Sequence, residues 1–295
     1  MYPERLKLSE RHPHWRVEDI FRTGRAAVRG FVQRDYSIGM HEQEFYEINI
    51  ILRGCGMHYI GGRRTSAEVG DVFILPPHIM HGYAGGEGFD VYHILLSPAF
   101  FDRNLPELQT LPAFSALFRA EPFMREKTAA KLYLHLSQRE LEGLSPRLSA
   151  LTAYSDTDRA ADAIIANCNA MMLIADLCSA YGDVASDESD GAFMRSVTYI
   201  YDNYREKIGV GDLARLAQTS RTAYIARFKE TMGATPGEFI LSYRLSLARN
   251  MLTETALPVA EIAQSSGFYD ASHLTRAFIK KEGLSPAEYR KKSRE

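Results

Sequence analysis

One short pattern occurs twice in the last hundred residues, 50 positions apart, and few folds are open to a chain that repeats it so closely. The first copy is Phe228, four residues, Gly233, one residue, then Thr235-Pro236-Gly237-Glu238-Phe239. The second is Phe278, four residues, Gly283, one residue, then Ser285-Pro286-Ala287-Glu288-Tyr289. Each copy reads as the end of one helix, a turn and the start of the next. The glycine suits the left-handed position that closes a helix. Thr235 and Ser285 are placed to cap the following helix and Pro236 and Pro286 to open it, while Glu238 and Glu288 complete capping boxes. Upstream, Leu213-Ala214-Arg215-Leu216-Ala217 is matched by Val259-Ala260-Glu261-Ile262-Ala263, both apolar at helical spacing. After a few polar residues come Ser220 to Lys229 in one unit and Asp270 to Lys280 in the other. A short helix, a tight turn and a second helix with one apolar and one polar or basic face make a helix-turn-helix. Two hairpins that merely pack together would not require duplication, capping and charge to agree.

The two units are joined by Pro236 to about Thr253, an apolar-periodic helix through Phe239, Ile240, Tyr243, Leu247, Ala248 and Leu252. At 1.5 Å per residue it spans roughly 27 Å. With the widths of the flanking units, that sets two recognition helices about one turn of B-DNA apart, roughly 34 Å. Charge agrees with a DNA reading. The chain has a net charge of −2, but residues 192–295 carry 16 Lys and Arg against 11 Asp and Glu, leaving 19 against 26 elsewhere. A basic domain joined to an acidic one is expected where only the first meets phosphates.

Residues of about 192–295 resemble the DNA-binding domain of the AraC/XylS family of bacterial transcription regulators. The resemblance is carried by Gly267-Phe268-Tyr269-Asp270-Ala271-Ser272-His273-Leu274-Thr275-Arg276-Ala277-Phe278, continuing through Gly283-Leu284-Ser285-Pro286 to Tyr289-Arg290. It implies base-contact positions six, five, three and two residues before the repeated Phe. In the second unit these are Ser272, His273, Thr275 and Arg276, all able to hydrogen-bond base edges. In the first they are Thr222, Ala223, Ile225 and Ala226, of which Ile225 and Ala226 depart from the polar residues common there. Arg221, Lys229, Lys280 and Lys281 flank the recognition helices and are expected on phosphates.

The N-terminal half reads differently. From about 25 to 96, Gly54, Gly56, Gly61-Gly62, Gly70 and Pro76-Pro77 punctuate short strands, which suggests a small β-barrel or sandwich. The spacings His41-x5-Glu47-x6-Gly54 and Gly70-x5-Pro76-x4-His81 resemble a cupin, the sensor domain common in AraC-type regulators. Cupin metal sites draw two His and a Glu from the first motif and one His from the second. His41, Glu47 and His81 match, Gln43 stands in place of the second His, and His78 replaces a glycine. Three such ligands could still hold a divalent metal. Direct recognition of a small polar molecule is the preferred expectation, with neither metal nor cofactor; a barrel whose His and Glu only satisfy one another is the plain alternative. Candidate lining residues are His41, Gln43, Tyr46, Glu47, His81 and His93. Gln33, Arg34, Trp15 and Arg16 are weaker candidates, and His58 and His78 read as turn or surface residues.

The expected fold class is α+β: a cupin-like barrel with a helical dimerisation segment over 1–184, a linker over 185–191, and two helix-turn-helix units joined by a long helix over 192–295. Residues 98–184 read as helical, with long apolar faces over Met124–Glu142 and Asp156–Tyr181. Cys55, Cys168 and Cys178 lack paired spacing and read as reduced cytosolic residues. No signal peptide and no apolar run of membrane-spanning length is expected. The function expected is a cytoplasmic, dimeric regulator that binds promoter DNA and a small-molecule effector, a carbohydrate by family analogy. RNA polymerase is an expected partner, and no membrane is. The alternatives are a cupin metalloenzyme (isomerase or oxygenase) with a DNA-binding tail, and a constitutive DNA binder with a vestigial sensor.

Overall fold

The structure is a computed structural model that describes residues 14–292 apart from 22–26, 61, 112, 123–124, 126–132, 156–158 and 185–189. The chain divides into two compact units, 1–186 and 187–295. The first begins with β1 (His14–Trp15), α1 (Val17–Ile20), β2 (Val28–Gln33), β3 (Ile38–Gln43), β4 (Tyr46–Arg53), β5 (Cys55–Ile60), β6 (Arg63–Glu68), β7 (Asp71–Leu75), β8 (His81–Ala84) and β9 (Asp90–Leu96). It continues with α2 (Pro98–Leu108), a π-helical turn (Ala116–Ala120), β10 (Leu134–His135), α3 (Gln138–Tyr154) and α4 (Ala160–Val184).

The strands form two five-stranded sheets, ordered β1-β3-β8-β5-β6 and β10-β7-β4-β9-β2. The core lies between them, where Ile51, Phe73 and Val91 of one sheet meet Ala67 and Tyr83 of the other. Register decides which side chains face that interior. Glu47 pairs with Leu75 and Leu95, and Asn49 pairs with Phe73 and His93, so Glu47, Asn49 and Ile51 point inward. A slip of one residue would send all three to the other face. The outer face is also apolar, since Ile48, Ile50, Ile74 and Ile94 are fully buried. On that side α3 closes on β2 and β9: the Tyr92 hydroxyl donates to the Leu148 carbonyl at 2.6 Å. Gly30 permits this approach, because a Cβ there would lie 2.7 Å from the Leu151 Cβ.

Two expectations for this unit need correction. The helix expected over Met124–Glu142 is interrupted, within its described residues, by β10, which pairs Leu134 and His135 with Val72 and Asp71. The His135 ring meets the Asp71 carboxylate at 2.7 Å, and helix resumes only where Ser137 and Glu140 form a capping box. Periodicity alone does not separate two strand residues from the helix that follows. The second correction concerns α4. Its stretch Ala160–Tyr181 is long and apolar enough, by length and composition, to cross a membrane. Packing accounts for part of its apolar content, since Leu173, Ile174, Leu177, Cys178 and Tyr181 are buried, while Ile164, Cys168 and Met172 are exposed. Part of the expected helix start, 156–158, lies outside the described residues.

Among its described residues the second unit is all helical: α5 (Asp190–Asn203), α6 (Val210–Leu216), α7 (Arg221–Met232), α8 (Pro236–Glu254), α9 (Val259–Ser265), α10 (Ala271–Glu282) and α11 (Pro286–Lys292). α5 begins inside the segment expected as linker, whose residues 185–189 lie outside the described ones. The repeat has the local chemistry its sequence requires. Gly233 and Gly283 close α7 and α10 at φ of 72° and 75°. Thr235 with Glu238 and Ser285 with Glu288 cap the helices that follow. Around α10 the core is Leu245, Ala248, Leu252, Ile262, Ala263, Phe268, Leu274 and Phe278. Around α7, Phe228 packs on Phe193 and Phe239, and the Tyr224 hydroxyl meets Ser196 Oγ at 3.0 Å.

Candidate DNA interface and effector site

The two recognition helices are held in the same way. Ser220 accepts the Ala223 amide at the start of α7, and Asp270 accepts the His273 amide at the start of α10. Tyr224, Phe228 and Met232 bury one face of α7, while Leu274 and Phe278 bury that of α10. The opposite faces are therefore free. Arg221, Thr222, Ala226 and Lys229 are exposed on α7, with Ile225 half-buried. Ser272, Arg276, Lys280 and Lys281 are exposed on α10. His273 and Thr275 are half-buried and have partners of their own. The His273 ring packs edge-on against Phe268, and the Thr275 hydroxyl donates to the Ala271 carbonyl at 2.7 Å. The fork of Arg276 is thus the freest donor set for base edges, matching the acceptors of guanine.

Sequence periodicity did not mark two features here. Tyr269 is 89% exposed in the turn before α10, outside any helical pattern. Arg244 of α8 donates to the Tyr204 and Glu206 carbonyls, both at 2.7 Å, and so fixes the turn after α5. Gly267 lies against the same turn at φ 84°, where a Cβ would come within 2.6 Å of the Tyr204 carbonyl.

Inside the barrel, β3, β4, β8 and β9 bring His41, Glu47, His81 and His93 together. Glu47 is the centre. Its Oε1 lies 2.7 Å from His93 Nδ1, and its Oε2 stands 3.6 Å from His81 Nε2, beyond hydrogen-bond length. Burial alone would raise this carboxyl, but the flanking His81 and His93 outweigh it and hold it well below the usual carboxylate range. His41 Nδ1 faces the Gly39 carbonyl at 2.9 Å, and His81 Nδ1 faces the Ile79 carbonyl at 3.0 Å. A carbonyl only accepts, so Nδ1 carries a proton in both rings, and each Nε2 is the nitrogen turned to the interior. Burial, reinforced by His81, lowers His41 to about 4, so it is neutral at pH 7.

Donor atoms of His41, Glu47 and His81 lie within 4.8 Å of one another. Two imidazoles whose Nδ1 atoms are held by carbonyls, with one ionised carboxylate, fit a divalent transition metal with open positions. They equally fit hydroxyl groups, for which they offer acceptors. Around them several buried polar atoms have no hydrogen-bond partner: both amide atoms of Gln43, Asn49 Oδ1, His81 Nε2, His93 Nε2 and both ring nitrogens of His58.

The structure corrects several expected lining residues. Tyr46 lies on the outer face of β4, where its ring packs on Phe101 and Phe118; one position from Glu47 on a strand, it faces away from the interior. His58, expected at a turn or the surface, is fully buried on β5 between Phe73 and Tyr83, each 4.6 Å away. Gln33, Arg34 and Arg16 are exposed, whereas Trp15 lies 5.2 Å from the His41 ring. His78 is exposed in a turn at φ 64°.

Comparison with known proteins agrees with both halves. Residues 26–174 match the model of an AraC-like ligand-binding domain, and residues 213–292 match a helix-turn-helix domain. The HTH-type transcriptional activator RhaR of Enterobacter sp. (strain 638) is 22% identical over 256 residues, covering 86% of this chain and 87% of RhaR. The probable transcriptional regulator LumQ of Photobacterium leiognathi is 35% identical over 91 residues, 31% of this chain and 37% of LumQ. Among solved structures, the DNA-binding domain of AdpA, a global transcriptional factor bound to a target DNA, is 28% identical. It covers 35% of this chain and 93% of the AdpA chain, at a TM-score of 0.34. With a ligand-binding barrel followed by two helix-turn-helix units, the chain belongs to the AraC family of DNA-binding transcription regulators.

Proposed function

We propose that the barrel interior is the effector site, and that its occupancy by a small polar molecule changes how the helix-turn-helix units act at a promoter. The carrying observation is the group of unpartnered atoms on Gln43, Asn49, His58, His81 and His93, all in one core. Buried polar groups left unsatisfied cost about 1–3 kcal/mol each. A folded protein retains several together where water or a ligand completes them. Alternating donors and acceptors beside the Trp15, Tyr36 and Phe31 rings suit a polyhydroxylated molecule, and a carbohydrate is the class that resemblance to AraC-type sensors implies. A second reading, effector contact through a divalent metal on His41, Glu47 and His81, is favoured by the carbonyl-held Nδ1 atoms of the two rings. In either reading the site binds rather than turns over its ligand.

The assembly we propose is a cytoplasmic homodimer that contacts promoter DNA and RNA polymerase and activates transcription. Ile164, Cys168 and Met172 form an exposed stripe along α4 at four-residue spacing, which suits pairing with a second copy. On DNA, Ser272, His273, Thr275 and Arg276 would read bases, with Thr222, Ile225 and Ala226 in lesser roles and Arg221, Lys229, Lys280 and Lys281 on phosphates. The effector must bind one arrangement of the dimer better than another for switching to follow.

The test pairs His81→Ala and Glu47→Ala with a reporter promoter and purified DNA-binding assays. DNA affinity without effector should stay within a few fold while the effector's influence on transcription disappears. Normal induction in both variants would place the effector elsewhere. Product formation from a candidate substrate, with stoichiometric metal, would establish an enzyme instead.

A further inference from the structure

We propose that Arg125 and His58 form a carboxylate-binding subsite in the barrel, so that the effector is an organic acid, a sugar acid rather than a neutral sugar. The proposal rests on the barrel being the effector site.

Arg125 is 3% exposed. Its guanidinium lies 5.1 Å from the centroid of Phe73, whose ring belongs to the interior core with Tyr83 and Tyr133. Nη2 donates to the Ile74 carbonyl, whereas Nε and Nη1 have no hydrogen-bond partner. Among the described residues, the anion beside it is a poor match. Glu121 Oε1 stands 3.3 Å from Nε without making a hydrogen bond, and neither Glu121 oxygen has a donor. A settled buried pair looks different: His93 meets Glu47 at 2.7 Å in this same unit. Burial also pushes the Glu121 carboxyl up to about 7, against the pull of Arg125, so Glu121 takes up a proton readily and can yield the guanidinium.

His58 packs on the same Phe73 ring, 4.6 Å ring to ring, with both nitrogens unpartnered. Burial and the charge of Arg125 keep it neutral, so it offers one donor and one acceptor. A guanidinium with free N–H groups binds a planar carboxylate through two parallel hydrogen bonds. A phosphate dianion would bring a second charge for which Arg125 alone gives no counterpart. The His58 ring lies 6.2 Å from His81, so the acid end and the polar cluster around Glu47 are contiguous. A molecule with a carboxylate at one end and hydroxyls along its length satisfies both.

The test uses the full chain and matched probes in thermal-shift and calorimetric titrations. Glucose, galactose and mannose are compared with glucuronate, galacturonate, mannuronate and the corresponding aldonates, and with inorganic phosphate. Acid members should raise the melting temperature and neutral partners should not. Glu121→Gln removes the competing carboxylate and should tighten acid binding about 10-fold, an outcome a purely structural pair would not give. Arg125→Gln should weaken it about 100-fold, and Arg125→Lys, which keeps charge but not the fork, should fall between. Neutral sugars that bind while no acid does would overturn the subsite and leave the barrel as the effector site. Silence from the whole panel would count against both. Acid binding that Glu121→Gln leaves unchanged or weakens, or a response to phosphate equal to that of the acids, would also overturn the subsite.

Discussion

Glu121 sets up a measurable opposition between two pictures of a buried ion pair. If Arg125 holds Glu121 ionised, protonation should destabilise the fold. The structure argues the reverse, because burial raises the carboxyl from 4.5 to about 7 despite Arg125. A carboxyl with a raised pKa binds its proton more tightly in the folded chain than in the unfolded one. Its stabilising contribution is therefore complete below pH 4.5 and lost as pH rises through about 7. The rise from 4.5 to about 7, at 1.36 kcal/mol per pH unit, sets a ceiling of about 3 kcal/mol. Between pH 5 and pH 8, about 2–3 kcal/mol of this should be lost. Glu121→Gln cannot titrate and should lack that loss. The difference between wild type and variant isolates it, since other groups, including His41, titrate in both. Trp15 is the sole tryptophan and lies beside His41 in the first unit, so its fluorescence reports the unfolding of that unit in the intact chain. Urea titrations at the two pH values, with unchanged m-values, give the numbers. If the two proteins lose stability equally between pH 5 and pH 8, or wild type gains relative to the variant, Glu121 is an ionised partner of Arg125 and the reasoning fails.

The remaining expectations concern the second unit and assembly. Arg276→Ala should lose about 1–3 kcal/mol of operator binding and relax specificity at one base pair; equal weakening on random DNA would make Arg276 a phosphate contact. Neutralising Arg221, Lys229, Lys280 or Lys281 singly should reduce the log–log salt slope by about 0.9 for each true phosphate contact, and four unchanged slopes would leave them as solvated surface charges. Ile164→Glu, at one end of an exposed apolar stripe and its most exposed large residue, should shift sedimentation toward the monomer without changing the unfolding midpoint reported by Trp15; an unaltered dimer would move the interface off α4.

What the sequence disclosed follows how local its physics is. The second unit was legible because caps, left-handed glycines and apolar spacing are written within a few residues, and the repeat states each of them twice. The barrel's polar centre was partly legible: His41, Glu47 and His81 stand out by type and spacing, and His93 joins them across the β4–β9 pairing. His58 and Tyr46 were misplaced for one reason. A strand residue's face is set by register against its neighbours, and the partners that decide it here, β8 for His58 and β7 and β9 for Tyr46, lie far off in sequence. His58 is turned inward by its pairing with Tyr83, and Tyr46 is turned outward because Glu47 beside it is inward. Arg125 and Glu121 gave no signal at all, since a charged pair four residues apart in a helical stretch reads as ordinary solvated surface. Only the structure puts Arg125 over Phe73, with Glu121 beside it. The residues that most narrow the effector's chemistry thus lie outside both sequence motifs, where the fold makes an unremarkable i,i+4 pair into buried, incompletely bonded charge.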